Sequence, residues 1–342
     1  LENSFGITNT TNAGSYTLSV TGTLTNGNYT ITERRDGTWV VSPKEITVTA
    51  NGGASVYGDT GLANPGFTAE GLVNGETVAV LTGLENSFGI TNTTNAGSYT
   101  LSVMGTLTNG NYRVTARNDG TWVVSPKEIT VTANGGASIY GDTGLANPGF
   151  TAEGLVNGET VAVLTGLENS FGITNTTNAG EHTLSVVGTL TNGNYKVTAR
   201  EDGVWVVSPK EITVTANDGA SVYGDTDLAN PGFTAEGLVN GETVAVLTGL
   251  ENSFGITNTT DAGSYTLSVV GTLTNGNYKV TAREDGVWVV SPKEITVTAN
   301  GGASVYGDAD LANPGFAAEG LVNGETVAVL TGLSTDTPIT AT

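Results

Sequence analysis

Of 342 residues, 49 are glycine, about twice the usual share, and none is cysteine, while charged residues at 13% are about half the usual fraction. The charge is one-sided, with 12 Lys and Arg against 33 Asp and Glu and a formal net of −21, which repels nucleic-acid backbones and anionic lipid head groups. The composition excludes disulfides, thiolate catalysis and Cys-ligated metals, and no run approaches the ~18 apolar residues of a membrane span.

An internal repeat organises the chain. LENSFGITNT starts at Leu1 and Leu84 and, with small changes, at Leu167 and Leu250, a period of 83 residues. The same spacing relates Trp39, Trp122, Trp205 and Trp288, and the lysines of PKEITVTA, Lys44, Lys127, Lys210 and Lys293. Such a period exceeds the ~20–50 residues of a solenoid unit but is long enough for a small domain with its own core. The Ser-Pro junctions at Ser42-Pro43, Ser125-Pro126, Ser208-Pro209 and Ser291-Pro292 separate two long apolar runs, and proline both lacks a ladder donor and holds its predecessor extended. Complete repeats are therefore expected at 44–126, 127–209 and 210–292. Residues 1–43 then form the C-terminal part of a truncated repeat, and 293–342 the N-terminal part of another, with a divergent tail from Ser334. A frame that starts at Leu1 is the alternative.

Within the repeat from Lys127, Ile129 and Val131 alternate with Glu128, Thr130 and Thr132, the pattern of a half-buried strand. Further strands are expected over 149–152, 182–186, 195–199 and 204–207. ETVAVL at 159–164 admits at most one short helical turn, since Thr160 and Val161 are poor helix formers. Gly-, Asn- and Asp-rich turns separate these runs. The fold class is mainly β: a tandem array of small β-sandwich or β-grasp-like domains.

In order along a repeat come Tyr140-Gly141-Asp142, Asn147-Pro148 with Phe150, Gly154-Leu155, Asn157-Gly158-Glu159, Ala96-Gly97-Ser98-Tyr99, Asn111-Tyr112 and the closing 122–126. This series resembles the MBG domain, a glycine-rich repeat of large bacterial surface adhesins, including filamentous-haemagglutinin-like proteins. The resemblance implies a small, mainly β module used many times over in a surface-exposed stalk, without catalytic residues.

The residues themselves offer little chemistry. His182 is the single histidine and stands where other copies have Tyr16, Tyr99 and Tyr265, so it reads as a drifted tyrosine. For calcium, which takes oxygen ligands, the candidates are Asp225 with Asp227 and Asp308 with Asp310, but earlier copies carry Gly61 and Gly144 at the second position. The tryptophans lie in apolar runs and read as core. Tyr57, Tyr140, Tyr223 and Tyr306 are better candidates for exposure than the tryptophans, with turn anchoring as the default reading. Asn9, Asn92, Asn175 and Asn258 head Asn-x-Thr triplets of the acceptor type.

These readings point to a non-enzymatic structural stalk or spacer in a bacterial cell-surface or secreted adhesin, extracellular and connected with cell adhesion and biofilm. It would be a monomeric rod of beads about 30 Å across by compact-size scaling, kept apart by their charge. The rival is a multivalent module that binds host or matrix glycans, mucin or other polysaccharide weakly and gains avidity by repetition. No cofactor and no nucleic-acid partner are expected, with calcium the one candidate ion.

Overall fold

The computed structural model describes residues 2, 3 and 5–337, and no α-helix occurs among them. In the repeat at 44–126 the strands are β1 (Lys44–Ala50), β2 (Gly53–Val56), β3 (Phe67–Glu70), β4 (Leu84–Asn86), β5 (Gly97–Leu101), β6 (Val103–Gly105), β7 (Tyr112–Asn118) and β8 (Gly120–Ser125). β1 is the centre of one sheet, antiparallel to β3 and parallel to β7. β8 is the centre of the other, parallel to β2 and antiparallel to β5, while β4 and β6 form a two-stranded ribbon. Two three-stranded sheets with buried inner faces make a β-sandwich; a β-grasp would need a helix laid across one sheet. The one helical element of this repeat is the 3-10 turn Val78–Val80, and its counterpart Val161–Val163 falls inside the expected 159–164.

Alternation decides which side chains enter the core. Ile46, Val48 and Ala50 of β1 and Trp122 and Val124 of β8 are buried, and the residues between them face outward. Burying an Ile or Val side chain contributes about 1.5–3 kcal/mol, so these positions carry the stability of the module. The indole of Trp122 packs edge-on against Phe88 with centroids 4.9 Å apart, and its N–H donates to Ser55 Oγ at 3.0 Å. Trp205 and Trp288 repeat both contacts. The tryptophans of the complete repeats are thus core residues, as their apolar runs suggested. β1 and β7 pair with a bulge at Thr115, whose hydroxyl donates to the Ile46 carbonyl at 3.2 Å.

The chain divides into two compact units. One comprises Leu1–Asn134, Pro148–Ser170 and Leu184–Gly203; it holds the whole repeat at 44–126 and the Lys127–Ala133, Phe150–Glu153 and Tyr195–Glu201 sheet of the following repeat. The other comprises Gly135–Asn147, Phe171–Thr183 and Val204–Thr342, with the whole repeat at 210–292. In this second unit Lys210–Ala216 is central to one sheet and Gly286–Ser291 to the other, in the registers already described.

At the two ends the strands lack some of these partners. Gly14–Leu18 pairs with Gly37–Val41, but Trp39 is 42% exposed where Trp122 is 7% exposed. Thr296–Ala299 pairs with Phe316–Glu319 and leaves Val297 exposed, whereas the equivalent Val48 is fully buried. From Ser334 the described tail, to Thr337, has no regular structure; residues 338–342 lie outside the described residues.

Candidate functional site: the junction between repeats

The turns that punctuate one repeat meet the turns of the next. In the first unit, Val156-Asn157-Gly158-Glu159 is a tight turn closed by Glu159 N–H to Val156 O at 3.0 Å. Asn157 and Gly158 have φ of 57° and 73°, the two positive values of a type I′ turn, which Asn-Gly tolerates best. This turn sits against the Tyr57-Gly58-Asp59 loop of the preceding repeat. Gly58 has φ 88°, and a Cβ there would lie 2.4 Å from a methyl of Val156, so glycine is required both for the backbone and for the approach of the valine.

The polar partners converge on one carboxylate. Tyr57 Oη donates to Glu159 Oε1 at 3.0 Å, and Tyr195 Oη donates to Glu159 Oε2 while accepting the Val156 N–H at 3.2 Å. The two phenol rings meet edge to face, with centroids 5.5 Å apart. Hydrogen bonds from phenols to an ionised carboxylate are charge-assisted, and both rings are buried. Burial first, and then the bond to Glu159, push the Tyr195 hydroxyl up to about 12, so it stays protonated and donating at any physiological pH.

A second set of contacts flanks this triad. Gly58 N–H donates to Asn92 O at 3.0 Å, Asn92 Nδ2 donates to Asn157 Oδ1 at 2.7 Å, and Asn157 Nδ2 returns to Asn92 O at 3.1 Å. Nearby, Asn194 Oδ1 accepts Ala96 N–H at 2.8 Å and Asn194 Nδ2 donates to Asn95 Oδ1 at 2.9 Å.

The second unit builds the same joint. Tyr140 and Tyr278 share Glu242, Asn175 binds Asn240 at 2.7 Å, Asn277 bridges Ala179 and Asn178, and Gly141 faces Val239. Burial pushes Tyr278 up to about 12 as well, and Tyr140 upward. Farther along, Tyr223 donates to Glu325 Oε1 at 2.6 Å and Asn258 binds Asn323. In the first unit Asn9 binds Asn74 and Asn111 bridges Ala13 and Asn12, beside Tyr112 and Glu76.

This geometry places each residue singled out in the sequence. Of the Tyr-Gly-Asp tyrosines only Tyr306 is fully exposed; Tyr57 and Tyr140 are buried and Tyr223 is half-buried, because the following repeat covers them. The aspartate of each loop closes its own turn: Asp225 Oδ2 accepts Val222 N–H, and Asp308 Oδ2 accepts Val305 N–H, both at 2.8 Å. Asp227, Asp308 and Asp310 are exposed, and no group of three or more His, Asp or Glu side chains that could hold a metal ion occurs among the described residues. His182 Nε2 lies 2.8 Å from Asn178 O, the same bond Tyr99 and Tyr265 make through their hydroxyls. The Asn-x-Thr asparagines Asn92, Asn175 and Asn258 are engaged in the joints. Glu159, and Asn194 and Tyr195 through their equivalents Asn111 and Tyr112, belong to the motif series of the sequence, which gave them no role; the signal for one is that each recurs at its turn or strand start although no local geometry there demands a carboxylate or a phenol.

The sequence profile of the MBG domain, YGX type, matches residues 46–122, 129–204 and 212–287. The chain belongs to the MBG domain family. The Tyr-Gly-x of the YGX type is the loop that receives the Val-Asn-Gly-Glu turn. Among solved structures, the I9–I11 tandem of titin is similar at 12% identity over 74% of this chain and 98% of that one, with a TM-score of 0.18. The N-terminal eight immunoglobulin domains of Down syndrome cell adhesion molecule align at 9% identity over 84% and 45%, with a TM-score of 0.18. Drosophila N-cadherin EC1–4 aligns at 12% identity over 57% and 58%, with a TM-score of 0.17. TM-scores this low establish no common chain course. No curated protein matches the chain in sequence.

Proposed function

We propose that this MBG array is a non-enzymatic spacer in the stalk of a bacterial cell-surface or secreted adhesin, outside the cell, holding a distal adhesive region away from its anchor. One observation carries the reading: the recurring Tyr-Gly-Asp loop, the Val-Asn-Gly-Glu turn and the Asn-Tyr strand start meet at the joint between copies. Tyr57, Gly58, Asn92, Val156, Asn157, Glu159, Asn194 and Tyr195 together join two repeats that are already linked through a single proline. A joint with a buried phenol–carboxylate centre and hydrogen bonds on its flank resists bending, which is what a spacer needs. The net charge of −21 supports it by opposing collapse at low salt. No helix among the described residues is long and apolar enough to cross a membrane.

The test is small-angle X-ray scattering on arrays of increasing repeat number. A maximum dimension that grows by about 30 Å per added repeat supports a spacer. Growth as the square root of repeat number means freely bending joints and refutes it. Retention of the array on glycan or mucin surfaces that rises with repeat number would instead identify a multivalent binder.

A further inference from the structure

Within a complete repeat, the stretch by which the chain enters is tied along its length to the stretch by which it leaves. β1 and β2 follow one another with only Asn51 and Gly52 between them, and β7 and β8 with only Asp119, so each pair is one extended run that passes from the first sheet to the second. The two runs lie side by side and parallel. Lys44 is opposite Tyr112 and Thr49 opposite Asn118 in the first sheet, and Gly53 is opposite Trp122 and Val56 opposite Ser125 in the second. Backbone bonds close both ends, from Lys44 N–H to Asn111 O at 2.8 Å and from Tyr57 N–H to Ser125 O at 2.9 Å. The chain enters at Lys44, at one end of this pair, and leaves through Ser125 and Pro126, at the other. The repeat at 210–292 has the same pattern, from Lys210 opposite Tyr278 to Val222 opposite Ser291.

We propose that this parallel pair is a mechanical clamp, by which each repeat resists being stretched open along the chain. Tension on the array draws Lys44 and Ser125 apart along the strand direction, so the two runs are forced to slide past each other. In that shear geometry the ladder bonds share the load and must fail together; in a pair pulled open from one end they fail one at a time. The even spacing of bonds in a parallel ladder spreads the load along the pair. Sliding also drags Ile46 and Val48 of one run past Trp122 and Val124 of the other, all of them buried in a close-packed core.

Side chains tie the runs as well. In the repeat at 210–292, Trp288 Nε1–H donates to Ser221 Oγ at 2.9 Å and Asp218 Oδ1 accepts Val287 N–H at 2.7 Å, where the runs change sheets. Thr281 Oγ1 donates to Ile212 O, and Thr215 Oγ1 to Glu284 Oε2. At the exit end of the first clamp, Tyr57 serves both devices: its N–H holds Ser125, and its hydroxyl holds Glu159 of the following repeat. Tension passing from Ser125 into Lys127 therefore meets clamp and joint at one residue. The clamp rests on the spacer reading for the direction of load, since a stalk is stretched between its anchor and its adhesive region. The joint resists bending and the clamp resists extension.

Single-molecule stretching of the full chain tests this, because a chain without cysteine is gripped only at thiols introduced on purpose. Glu211→Cys with Ser291→Cys, both exposed positions, loads the pair of the last complete repeat in shear. Glu211→Cys with Lys279→Cys grips two opposed residues at one end and peels the pair open. Both variants lack the Glu211 ion pair, so they differ in the direction of pull. The expected rupture force is several-fold higher in shear than in peeling, since forced unfolding reads the barrier to unfolding and not the equilibrium stability. Equal forces, or a higher force in peeling, overturn the clamp and leave the spacer reading, which scattering tests separately, standing. Pulled through a cysteine added at each end, the chain should break repeat by repeat at the shear force, each event releasing up to about 270–300 Å for the 83 residues of a repeat. Smooth extension at low force would overturn the proposal.

Discussion

Gly58→Ala tests the joint where the geometry is tightest. The φ of 88° costs a residue with a Cβ about 1–2 kcal/mol in the left-handed region. The added methyl would stand 2.4 Å from Val156 Cγ2 and 2.7 Å from its Cβ, an overpacking that typically costs about 1–3 kcal/mol more. The total is about 2–5 kcal/mol, placed on the contact between two repeats rather than on the core of either. Gly61→Ala is the comparison, because Gly61 has φ 74° and open space around it, and Asp227 occupies the equivalent place in the last complete repeat without a positive φ. That variant should lose about 1–2 kcal/mol, the backbone cost without the clash. Urea unfolding gives both values, and Val156→Ala completes a double-mutant cycle. Removing the valine methyls should recover about 1 kcal/mol or more of the Gly58→Ala loss. Equal losses for Gly58→Ala and Gly61→Ala, or strict additivity with Val156→Ala, would refute a steric interlock at this loop.

The phenol–carboxylate centre should show coupling of about 0.5–3 kcal/mol between Tyr57→Phe and Glu159→Gln in urea unfolding, whereas independent effects would mean that the 3.0 Å bond contributes nothing. Tyrosines raised to about 12 at Tyr195 and Tyr278 ionise near 10 in the unfolded chain, so their stabilisation is whole below pH 10 and is lost as pH climbs towards 12. Thermal unfolding across that interval should fall steeply in the parent and less in Tyr195→Phe with Tyr278→Phe. Calcium and chelator should leave the unfolding temperature unchanged, since Asp225 and Asp308 already close their own turns; a rise that saturates with calcium and disappears in Asp225→Asn would show a site there. Glu242→Ala, in the second unit, should destabilise by about 1–3 kcal/mol by leaving the buried hydroxyls of Tyr140 and Tyr278 without their acceptor, and Glu251→Ala, on an exposed strand position, should not.

Much of the fold was legible because it depends on period-2 alternation. Ile129 and Val131 inward, Trp205 and Val207 inward, and a single turn near Val161 follow from residue type alone. The expected strand 182–186 instead runs across the break between two, Gly180–Leu184 and Val186–Gly188, which join different sheets, and two further strands were not foreseen. Gly136–Ile139 and Leu167–Asn169 are short and rich in Gly, Ser and Asn, and they become strands through pairing with Gly203–Ser208 and Val186–Gly188 rather than through propensity. The joint was hidden for a related reason. Tyr57 and Glu159 stand 102 positions apart, farther than one period, so no pattern inside a repeat links them.

Where the copies differ supports the same division of labour. Met104 and Val187, Ile139 and Val222, Thr121 and Val204, and Arg113, Lys196 and Lys279 are equivalent positions on outward faces, with exposed or half-buried side chains. The joint does not drift in this way: Tyr57, Gly58, Val156, Asn157 and Glu159 are the same residues in every copy that contains the position. The exception is Asp261, which replaces Asn95 and Asn178 and keeps an oxygen acceptor. Each repeat must present a receiving loop to one neighbour and an inserting turn to the other, so a change in either half has to fit a copy elsewhere in the chain. Identity at the joint makes every repeat interchangeable with every other. Length can then change by whole repeats with no new interface, while the outward faces remain free to vary.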